Sequence, residues 1–265
     1  MSNYLQEIRD LKFTRYESNG NVQYGIVSDD MVNKITGEPW NNYEVSSDAQ
    51  PLSSVKILAP TLPSKMIAIG LNYKSHLGDR TPPSVPEPFI KTPSCVVGPN
   101  DCIVLPPDSN IVQEEAELAI IFGKTCRNAT KENALDYVFG YTCANDVSER
   151  DWQKNDLQWT RAKSSDTFGP IGPFIVTGLD PSNLAISAKL NGETVQSSNT
   201  SDLLFDVPSI IEWVSKFITM EPGDLILTGT PGTTATLNDG DTVEIEVEGI
   251  GVLSNCVTNN RNGLC

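Results

Sequence analysis

The sequence contains one histidine, His76, among its 265 residues, and no two of its cysteines form a CxxC pair. A zinc site that needs two imidazoles is therefore excluded within one chain. No apolar run approaches the roughly 18 residues of a membrane-spanning helix. The N-terminal segment also lacks the apolar core of a secretory signal peptide. These absences predict a cytoplasmic protein, intracellular and without a signal peptide.

Basic residues are also scarce, with 19 Lys and Arg against 34 Asp and Glu, which gives a formal net charge of −15. An acidic surface of this kind repels the phosphates of nucleic acids and of anionic lipids. We therefore expect no nucleic-acid partner and no membrane partner. Hydrophobic residues make up 38% and charged residues 20%, which is the balance of a globular rather than a disordered chain.

The six cysteines show no spacing typical of a metal site or of a disulfide framework. Without a secretion signal, we expect reduced thiols that pack as small apolar side chains, and we expect neither disulfides nor structural zinc. The cysteines are Cys95, Cys102, Cys126, Cys143, Cys256 and Cys265.

Turn signals and apolar alternation predict a mixed, mainly β fold with a few short helices. Asn-Gly turns at Asn19-Gly20 and Asn191-Gly192 each indicate a β-hairpin. A polar stretch ahead of Lys56 marks a boundary between two parts of the chain. We therefore predict a small β-rich N-terminal domain at residues 1–58 and a larger domain at residues 59–265.

Further elements follow from side-chain periodicity, helix caps and the position of proline. They are strands at Lys65–Leu71, Ile111–Phe122, Tyr141–Asn145 and Asp224–Leu227, a short helix at Lys131–Tyr137 capped by Thr130, a helix from Pro208 to Ile218, and an alternating strand at Thr242–Val252 with Val243, Ile245 and Val247 inward. The outward glutamates of the last strand account for part of the acidic excess.

Two glutamates, Glu115 and Glu117, alternate within a predicted strand and therefore share one face of it. Two carboxylates this close repel one another unless a cation lies between them. Hard oxygen ligands suit Mg²⁺, Mn²⁺ or Ca²⁺ rather than zinc. From this segment alone, two solvated glutamates on an exposed strand face are the favoured alternative.

Three other charged residues lie near the ends of predicted elements. Asp146 ends a mostly apolar strand, which is where functional sites are often assembled. Arg150 follows it closely and beside a site can hold an anionic substrate group, although an arginine is more often a surface cation. Lys163 leads into a loop rich in glycine and proline, and on its own this lysine does not indicate a function.

The single histidine follows a buried strand and precedes a proline-rich, lid-like stretch. Asp79 lies three residues after His76, so one helical turn would bring the carboxylate within hydrogen-bonding reach of the imidazole. Such a pair suits general acid–base chemistry, although a lone histidine is more often structural or exposed. A Ser-His-Asp hydrolase is disfavoured because the chain has no GxSxG motif.

A set of motifs between about residue 65 and residue 252 follows one order and spacing. They are IGLNY at 69–73 with His76, EAEL at 115–118, Gly140-Tyr141, Asn145–Ser148, Arg150-Asp151, Gln153, Lys163, Asp166–Pro170, Gly172-Pro173, Asn191-Gly192 and LTGTP at 227–231. With this set the chain resembles the fumarylacetoacetate hydrolase family.

The resemblance implies a mixed β-roll or sandwich catalytic domain behind a small N-terminal domain, in a homodimer. It also implies one Mg²⁺ (or Mn²⁺) as cofactor, held by three carboxylates that fall on Glu115, Glu117 and Asp146. The family's catalytic residues fall on His76 in a mobile lid, on its acidic partner Asp79 and on Lys163, and its substrate-binding residues fall on Arg150, Gln153 and Thr230.

Two departures from the family pattern affect the predicted site. The family commonly has Glu where this chain has Asp79, so the acid reaches one methylene less far toward His76. After Thr230-Pro231 the usual turn of small residues becomes Gly232-Thr233-Thr234, which changes the wall that faces the far end of a substrate.

These residues together predict an enzyme that acts on a small anionic 2-oxo acid. The expected reaction is C–C bond cleavage in a 2-oxo or β-diketo acid, of the acylpyruvate hydrolase or oxaloacetate decarboxylase type, through a metal-stabilised enolate. Hydrolysis also needs an activated water, so a short Asp79 affects it most. One alternative is a keto–enol tautomerase or isomerase of 2-oxo dicarboxylic acids. Another is a metal-binding pseudoenzyme that acts as a dimeric binding module.

Overall fold

The computed structural model describes residues 10–260. Strands dominate this part of the chain and the α-helices are short, which confirms the mainly β fold. The strands are β1 (Lys12–Ser18), β2 (Asn21–Ser28), β3 (Met31–Ile35), β4 (Val45–Pro51), β5 (Lys56–Leu58), β6 (Met66–Gly70), β7 (Glu87–Lys91), β8 (Val96–Val97), β9 (Ile103–Val104), β10 (Val112–Gln113), β11 (Ala116–Phe122), β12 (Val138–Asn145), β13 (Ser148–Glu149), β14 (Gly169–Val176), β15 (Ala185–Leu190), β16 (Glu193–Asn199), β17 (Leu225–Leu227), β18 (Thr242–Val247) and β19 (Gly251–Thr258).

The α-helices are α1 (Arg150–Asn155), α2 (Thr160–Ser164) and α3 (Val207–Ser215). Short 3₁₀ helices lie at Leu52–Ser54, Lys74–His76, Pro93–Cys95, Ala134–Tyr137 and Thr200–Asp202. Predictions that concern residues 1–9 and 261–265, among them the missing signal peptide and the thiol of Cys265, lie outside the described residues.

Both hairpins predicted from Asn-Gly turns are present. β1 and β2 pair antiparallel around Asn19 and Gly20, whose φ angles are 52° and 75°. β15 and β16 pair in the same way around Asn191 and Gly192, with φ angles of 53° and 83°. Two consecutive positive φ angles are the type I′ geometry that Asn-Gly adopts readily, which is why this dipeptide located both turns.

One large sheet carries both the N-terminal strands and the strands around the candidate site. Its strand order is β4-β3-β2-β1-β14-β12-β11-β17-β6-β7, with β5 paired to β1 and β8 paired to β14. β1 joins the two parts through antiparallel pairing with β14. The N-terminal strands therefore extend the central sheet, and the division into residues 1–58 and 59–265 stays a prediction.

A second sheet of order β16-β15-β18-β19-β9 packs against the first over a shared apolar core. The alternation predicted for β18 is confirmed, because Val243, Ile245 and Val247 are buried. The predicted continuation of this strand to Val252 is wrong. Gly249, with a φ of 79°, turns the chain back into β19.

The predicted strand at Ile111–Phe122 is broken in the middle. β10 pairs with β13, whereas β11 pairs with β12 and β17. Between them, the N–H of Glu114 donates to the carbonyl of Ala235, and the N–H of Glu115 donates to the side-chain oxygen of Asn145. These partners are distant in sequence, so the apolar pattern alone gave no sign of the break.

The helix predicted at Lys131–Tyr137 is reduced to a 3₁₀ helix at Ala134–Tyr137. Thr130 does not cap it as predicted. The backbone N–H of Thr130 donates instead to the side-chain oxygen of Asn133 at 2.9 Å. The chain therefore closes a tight turn before the helix begins.

The helix predicted from Pro208 is present as α3. Asp206 caps it by accepting the N–H of Ser209 at 2.9 Å, and Pro208 lies in the first turn. The helix ends at Ser215, short of the predicted Ile218. In the part of the chain that the structure describes, no helix combines the length and the hydropathy that crossing a membrane requires.

Cys102 and Cys256 form a disulfide, so the expectation of reduced thiols is wrong at these two positions. β9 runs parallel to β19 with Ile103 opposite Val257. This register places the two cysteines side by side, with Cα atoms 4.5 Å apart, although they are separated by 154 positions in sequence. Spacing along the chain therefore carries no sign of the pairing. Among residues 10–260, the free thiols are Cys95, Cys126 and Cys143, and all three are buried as predicted.

Candidate active site

Three carboxylates meet where β11 and β12 lie side by side. The strands pair with Ala116 opposite Asn145, and the N–H of Asp146 donates to the carbonyl of Glu115 at 3.0 Å. This register brings Asp146 to Glu115 and Glu117, and one oxygen of each lies within 4.8 Å of the others. All three side chains are buried, so the alternative of solvated glutamates on an exposed strand face is wrong.

Two of these carboxylates have cationic partners. Lys163 Nζ lies 2.7 Å from Glu115 Oε2 and 2.7 Å from Asp146 Oδ2. Arg150 Nη1 lies 2.7 Å from Glu115 Oε1, and Lys91 Nζ lies 2.6 Å from Asp146 Oδ1. Burial opposes the charge of Glu115, but Lys163 and Arg150 hold the pKa of this carboxyl below its ordinary value. Burial lowers the pKa of Lys163, but the charges of Asp146 and Glu115 raise it more, so that it lies above its ordinary value.

Glu117 differs from the other two carboxylates because no Lys or Arg nitrogen of residues 10–260 forms an ion pair with it. Its Oε2 accepts the backbone N–H of Gly229 at 2.5 Å. Burial first, and then the charges of Asp146 and Glu115, raise the pKa of Glu117 well above its ordinary value. The cluster therefore has one buried carboxylate without a counter-charge.

The donor set of this cluster fits a divalent cation that prefers oxygen ligands. Carboxylates at this separation repel one another, and a cation bound among them removes that repulsion. Oxygen ligands of this type suit Mg²⁺, Mn²⁺ or Ca²⁺, and the cluster contains no histidine or cysteine that would favour zinc. Glu115, Glu117 and Asp146 are thus the residues that would hold such an ion.

Lys91 belongs to the site and was missed by the sequence analysis. Its side chain is completely buried, and its ammonium group donates to Asp146 and to the backbone carbonyl of Lys163. Lys91 therefore holds both a carboxylate of the cluster and the backbone that carries Lys163. A lysine at the end of an edge strand is normally a surface cation, and no local sequence signal distinguishes this one.

Lys91→Met is expected to lower the free energy of unfolding by about 3 kcal/mol. This is the low end of the range for removing one partner of a buried ion pair, because Asp146 keeps Lys163. Urea denaturation of the metal-free protein measures the effect. Lys56→Met is the matched control, since Lys56 is exposed and 3.7 Å from Asp101, and no measurable change is expected there. Equal stability of the two variants would contradict the structural role of Lys91.

His76 lies at the end of the 3₁₀ helix Lys74–His76, beside the carboxylate cluster. Its Nδ1 is 2.6 Å from the carbonyl oxygen of Gly232, and its Nε2 is 4.0 Å from Glu115 Oε1. Because a carbonyl oxygen only accepts hydrogen bonds, Nδ1 is the protonated nitrogen. In the neutral form of the ring, Nε2 is then the basic nitrogen, and it faces the carboxylates.

The hydrogen bond predicted between His76 and Asp79 is absent from the described part of the chain. The 3₁₀ helix stops at His76, and Gly78, with a φ of 58°, redirects the backbone before Asp79. Asp79 is exposed, and it lines the same cavity as the imidazole. The pairing expected from one continuous helical turn is therefore not formed, and the catalytic role of Asp79 stays a prediction.

Arg150 is held by a network of polar side chains. Nη1 donates to Gln153 at 2.9 Å, and Nε donates to Gln113 at 2.7 Å. Nη2 donates to Thr234 at 3.0 Å, and the hydroxyl of Thr234 donates in turn to Gln113 at 2.6 Å. Gln113 and Thr234 were not predicted as site residues. The only signal was that Thr234 lies in the turn that departs from the family pattern.

Thr230 is placed by a buried glutamine. Its hydroxyl oxygen accepts from Gln196 Nε2 at 2.9 Å, and Gln196 Oε1 accepts the N–H of Ala116 at 2.9 Å. The preceding residue, Gly229, has a φ of 102°, and a Cβ there would lie 2.8 Å from the Cβ of Asn72. Glycine is therefore required for this loop to pass the strand end, which explains the glycine in the LTGTP motif.

One cavity of about 1130 Å³ collects all nine predicted site residues. The charged cluster forms part of its lining. Phe89 and Trp159 also line the cavity, and their rings meet edge to face with centroids 5.3 Å apart. The nine residues are His76, Asp79, Glu115, Glu117, Asp146, Arg150, Gln153, Lys163 and Thr230. Their shared location is observed, and their individual roles stay predictions.

Two family models match most of the chain. The model described as fumarylacetoacetate (FAA) hydrolase C-terminal matches residues 65–258. The model described as Rv2993c-like, N-terminal, matches residues 11–60.

Individual proteins are similar over comparable lengths. A rat protein named oxaloacetate tautomerase Fahd2a, mitochondrial, is 45% identical over 221 residues, which cover 78% of this chain and 71% of that protein. The crystal structure of 2-hydroxyhepta-2,4-diene-1,7-dioate isomerase from Mycobacterium marinum has a TM-score of 0.88 and 40% identity, and covers 94% of this chain and 98% of that chain. The structure of maleylpyruvate hydrolase from Sphingobium sp. SYK-6 in complex with manganese (II) ion and pyruvate has a TM-score of 0.78 and 31% identity. The match covers 93% of this chain and 98% of that chain. The resemblance seen in the motifs is thereby confirmed, and the chain belongs to the fumarylacetoacetate hydrolase family.

Proposed function

We propose that this protein is a divalent-metal-dependent tautomerase of small 2-oxo dicarboxylic acids, which interconverts their keto and enol forms. The observation that carries the proposal is the state of His76. Its Nδ1 is bonded to the carbonyl of Gly232, and its Nε2 lies 4.0 Å from Glu115 Oε1. The imidazole is thus positioned beside the carboxylate cluster, as transfer of a carbon-bound proton requires. The contact between His76 and Asp79, which was expected for activation of water, is not formed among the described residues.

The charged end of the cavity provides the groups that a 2-oxo carboxylate needs. The guanidinium of Arg150 binds the substrate carboxylate, and the ammonium of Lys163 lies beside the 2-oxo oxygen. A divalent ion held by Glu115, Glu117 and Asp146, which we propose to be Mg²⁺ or Mn²⁺, supplies when bound a Lewis acid that polarises the 2-oxo group.

The proton moves through His76. Nε2 removes a proton from the carbon next to the 2-oxo group, and the electron pair of that C–H bond becomes the C=C bond. The carbonyl pair moves onto oxygen, where the charge of Lys163 stabilises it, and this oxygen then takes up the proton to give the enol. The reverse sequence returns the keto form, so atoms and charge balance without a co-reactant.

The names of similar proteins support this choice. The rat relative, 45% identical to this chain, is named an oxaloacetate tautomerase. The Mycobacterium marinum protein, 40% identical, is named a 2-hydroxyhepta-2,4-diene-1,7-dioate isomerase. Both names describe isomerisation of a dicarboxylic acid, which is the reaction class proposed here.

Cleavage of a C–C bond, the reaction expected first from the sequence, is the second candidate. Asp79 lines the same cavity as His76, and with its carboxylate on the imidazole the pair would activate a water for hydrolysis. The maleylpyruvate hydrolase of Sphingobium, which was solved with manganese (II) and pyruvate, is 31% identical to this chain. Decarboxylation of oxaloacetate would need no such water.

The test uses the enol form of oxaloacetate with Mg²⁺ or Mn²⁺. Enol absorbance and pyruvate formation are followed separately on the same sample. The control contains the same metal and the Glu117→Gln variant, because free divalent ions also polarise the substrate. We expect enol loss in proportion to enzyme, without pyruvate.

The other outcomes separate the remaining candidates. Pyruvate formed at the rate at which the enol is lost would show that the protein cleaves the C–C bond, and the tautomerase proposal would be wrong. If neither signal exceeds that of the control, the protein is not an enzyme for this substrate class, and the binding-module alternative gains support.

A further inference from the structure

The segment that carries His76 is fixed at both ends. Tyr73 is fully buried and pairs with Leu203 in an isolated bridge, and Leu77 is buried after the 3₁₀ helix. Between these anchors, Lys74 and Ser75 are exposed and His76 is half-buried. The position of the imidazole therefore depends on what the middle of the segment contacts.

The middle of this segment contacts Gly232 at two points. Ser75 Oγ accepts the N–H of Gly232 at 3.0 Å, and His76 Nδ1 donates to the carbonyl oxygen of Gly232 at 2.6 Å. Two neighbouring side chains thus engage both backbone polar groups of one residue. We call this pair of hydrogen bonds the Gly232 latch.

Gly232 can serve in this way because of its backbone conformation. Its φ is 60°, in the left-handed region that favours glycine, and no atom lies within 4 Å of the place where a Cβ would be. The turn therefore directs its N–H and its carbonyl toward the 3₁₀ helix without crowding. It is the same turn that departs from the family pattern in sequence.

The latch places a hydrogen-bond acceptor, the carbonyl oxygen of Gly232, on Nδ1 of His76. A neutral imidazole carries one proton, and the hydrogen bonds of its two nitrogens decide which of them holds it. A carbonyl on Nδ1 selects the Nδ1–H form, which leaves Nε2 free to accept a proton. Ser75 contributes by holding the Gly232 backbone in register, so that its carbonyl stays opposite Nδ1.

We propose that Ser75 is a positioning residue, which acts through the Gly232 latch to fix the ring orientation and the Nδ1–H tautomer of His76. The inference rests on the proposed function only where it concerns rate, because the tautomer is a property of the free protein. Loss of the Ser75 hydroxyl leaves Gly232 tied to the segment by one bond. The carbonyl then moves relative to the ring, and both tautomers become populated.

The single histidine of the sequence makes the tautomer directly measurable. Protein labelled with ¹⁵N in histidine gives one pair of imidazole nitrogen resonances, whose chemical shifts report which nitrogen is protonated. Spectra of the metal-free protein are recorded at a pH where free imidazole is neutral. We expect the Nδ1–H form in the wild type, a mixture in Ser75→Ala, and the Nδ1–H form again in Ser75→Thr, which retains the hydroxyl.

Ser84→Ala is the matched control, since Ser84 is an exposed serine that does not line the cavity. It should leave both the spectrum and the activity unchanged. For tautomerisation of enol-oxaloacetate, we expect kcat to fall about 10-fold in Ser75→Ala with KM within about two-fold, because a misplaced base affects the chemical step. Ser75→Thr should recover most of this loss.

Two results would overturn the proposal. One is a spectrum of Ser75→Ala that still shows only the Nδ1–H form, and the other is a wild type that is not in this form. The failure of the proposed function looks different, because a wild-type protein without tautomerase activity would still show the latch-dependent spectrum. The spectrum therefore tests the latch, and the assay with enol-oxaloacetate tests the function.

Discussion

Glu117→Gln is expected to abolish the binding of a divalent metal ion and, at the same time, to make the metal-free protein more stable. Glu117 is completely buried, and among residues 10–260 it has no Lys or Arg partner, in contrast to Glu115 and Asp146. Its carboxylate must either stay charged beside two like charges or take up a proton, and both options cost free energy in the absence of a cation. A glutamine avoids this cost and can still accept the N–H of Gly229.

The two effects have opposite signs and are measured in one experiment. The midpoint of thermal unfolding is recorded without metal and with excess Mn²⁺. Without metal, we expect the variant to unfold about 2–4 °C above the wild type, the shift that ~1 kcal/mol produces in a chain of this size. Mn²⁺ should stabilise the wild type by mass action and leave the variant unchanged. Calorimetric titration with Mn²⁺ should show binding by the wild type and none by the variant.

Glu246→Gln is the matched control for this prediction. It makes the same substitution on the exposed face of β18, and it should alter neither the metal-induced shift nor the midpoint. A Glu117→Gln variant that still gains stability from Mn²⁺ would show that the ion binds elsewhere. The assignment of the three carboxylates would then be wrong.

The features that the sequence predicted well are those set by local geometry. The Asn-Gly dipeptides located two hairpins because few other residue pairs adopt two positive φ angles in succession. Alternation in β18 placed the valines and the isoleucine inward because side chains of a strand alternate between its faces. Glu115 and Glu117 could be grouped for the same reason. Asp146 was singled out by its place at the end of an apolar strand, but its assignment to one site with the two glutamates came from the family resemblance, since only the pairing of β11 with β12 brings it to them.

The features that the sequence did not predict depend on contacts between distant segments. Cys102 meets Cys256 because β9 and β19 are parallel neighbours, and that pairing is decided by the packing of the whole second sheet. Lys91 is buried because Asp146 and the carbonyl of Lys163 meet its ammonium group, and neither partner is near it in sequence. Long-range register, rather than composition, decided each of these outcomes.

The missing contact between Asp79 and His76 has a local cause. The expected contact with His76 assumed that a helical turn continued for three residues, but Gly78 adopts a left-handed conformation and ends it. A glycine at this point is a common helix terminator, so the sequence contained the information. The carbonyl of Gly232, which occupies Nδ1 instead, belongs to a turn 156 residues away and was beyond local reasoning.

His76→Asn is expected to lower kcat for tautomerisation by about 100- to 10,000-fold, the usual contribution of a general base. The amide nitrogen of asparagine lies near the position of Nδ1 and can still donate to the carbonyl of Gly232, so the Gly232 latch is preserved. The variant lacks only the basic nitrogen that lies 4.0 Å from Glu115 Oε1. Steady-state rates with enol-oxaloacetate and saturating Mn²⁺ measure the effect, and the Mn²⁺-induced rise of the unfolding midpoint confirms that the cluster is intact.

Asp79→Asn is the companion variant, and it separates the two candidate reactions. If His76 works alone as the base of a tautomerase, removing the carboxylate of Asp79 should change kcat by less than about three-fold, because no hydrogen bond joins the two residues within the described chain. If the segment after His76 instead brings Asp79 onto the imidazole for hydrolysis, Asp79→Asn and His76→Asn should lower the rate of cleavage by similar factors, as substitutions within one catalytic unit do. A His76→Asn variant with wild-type kcat would remove the imidazole from the mechanism, and the buried Lys163, 2.7 Å from Glu115, would become the candidate for moving the proton.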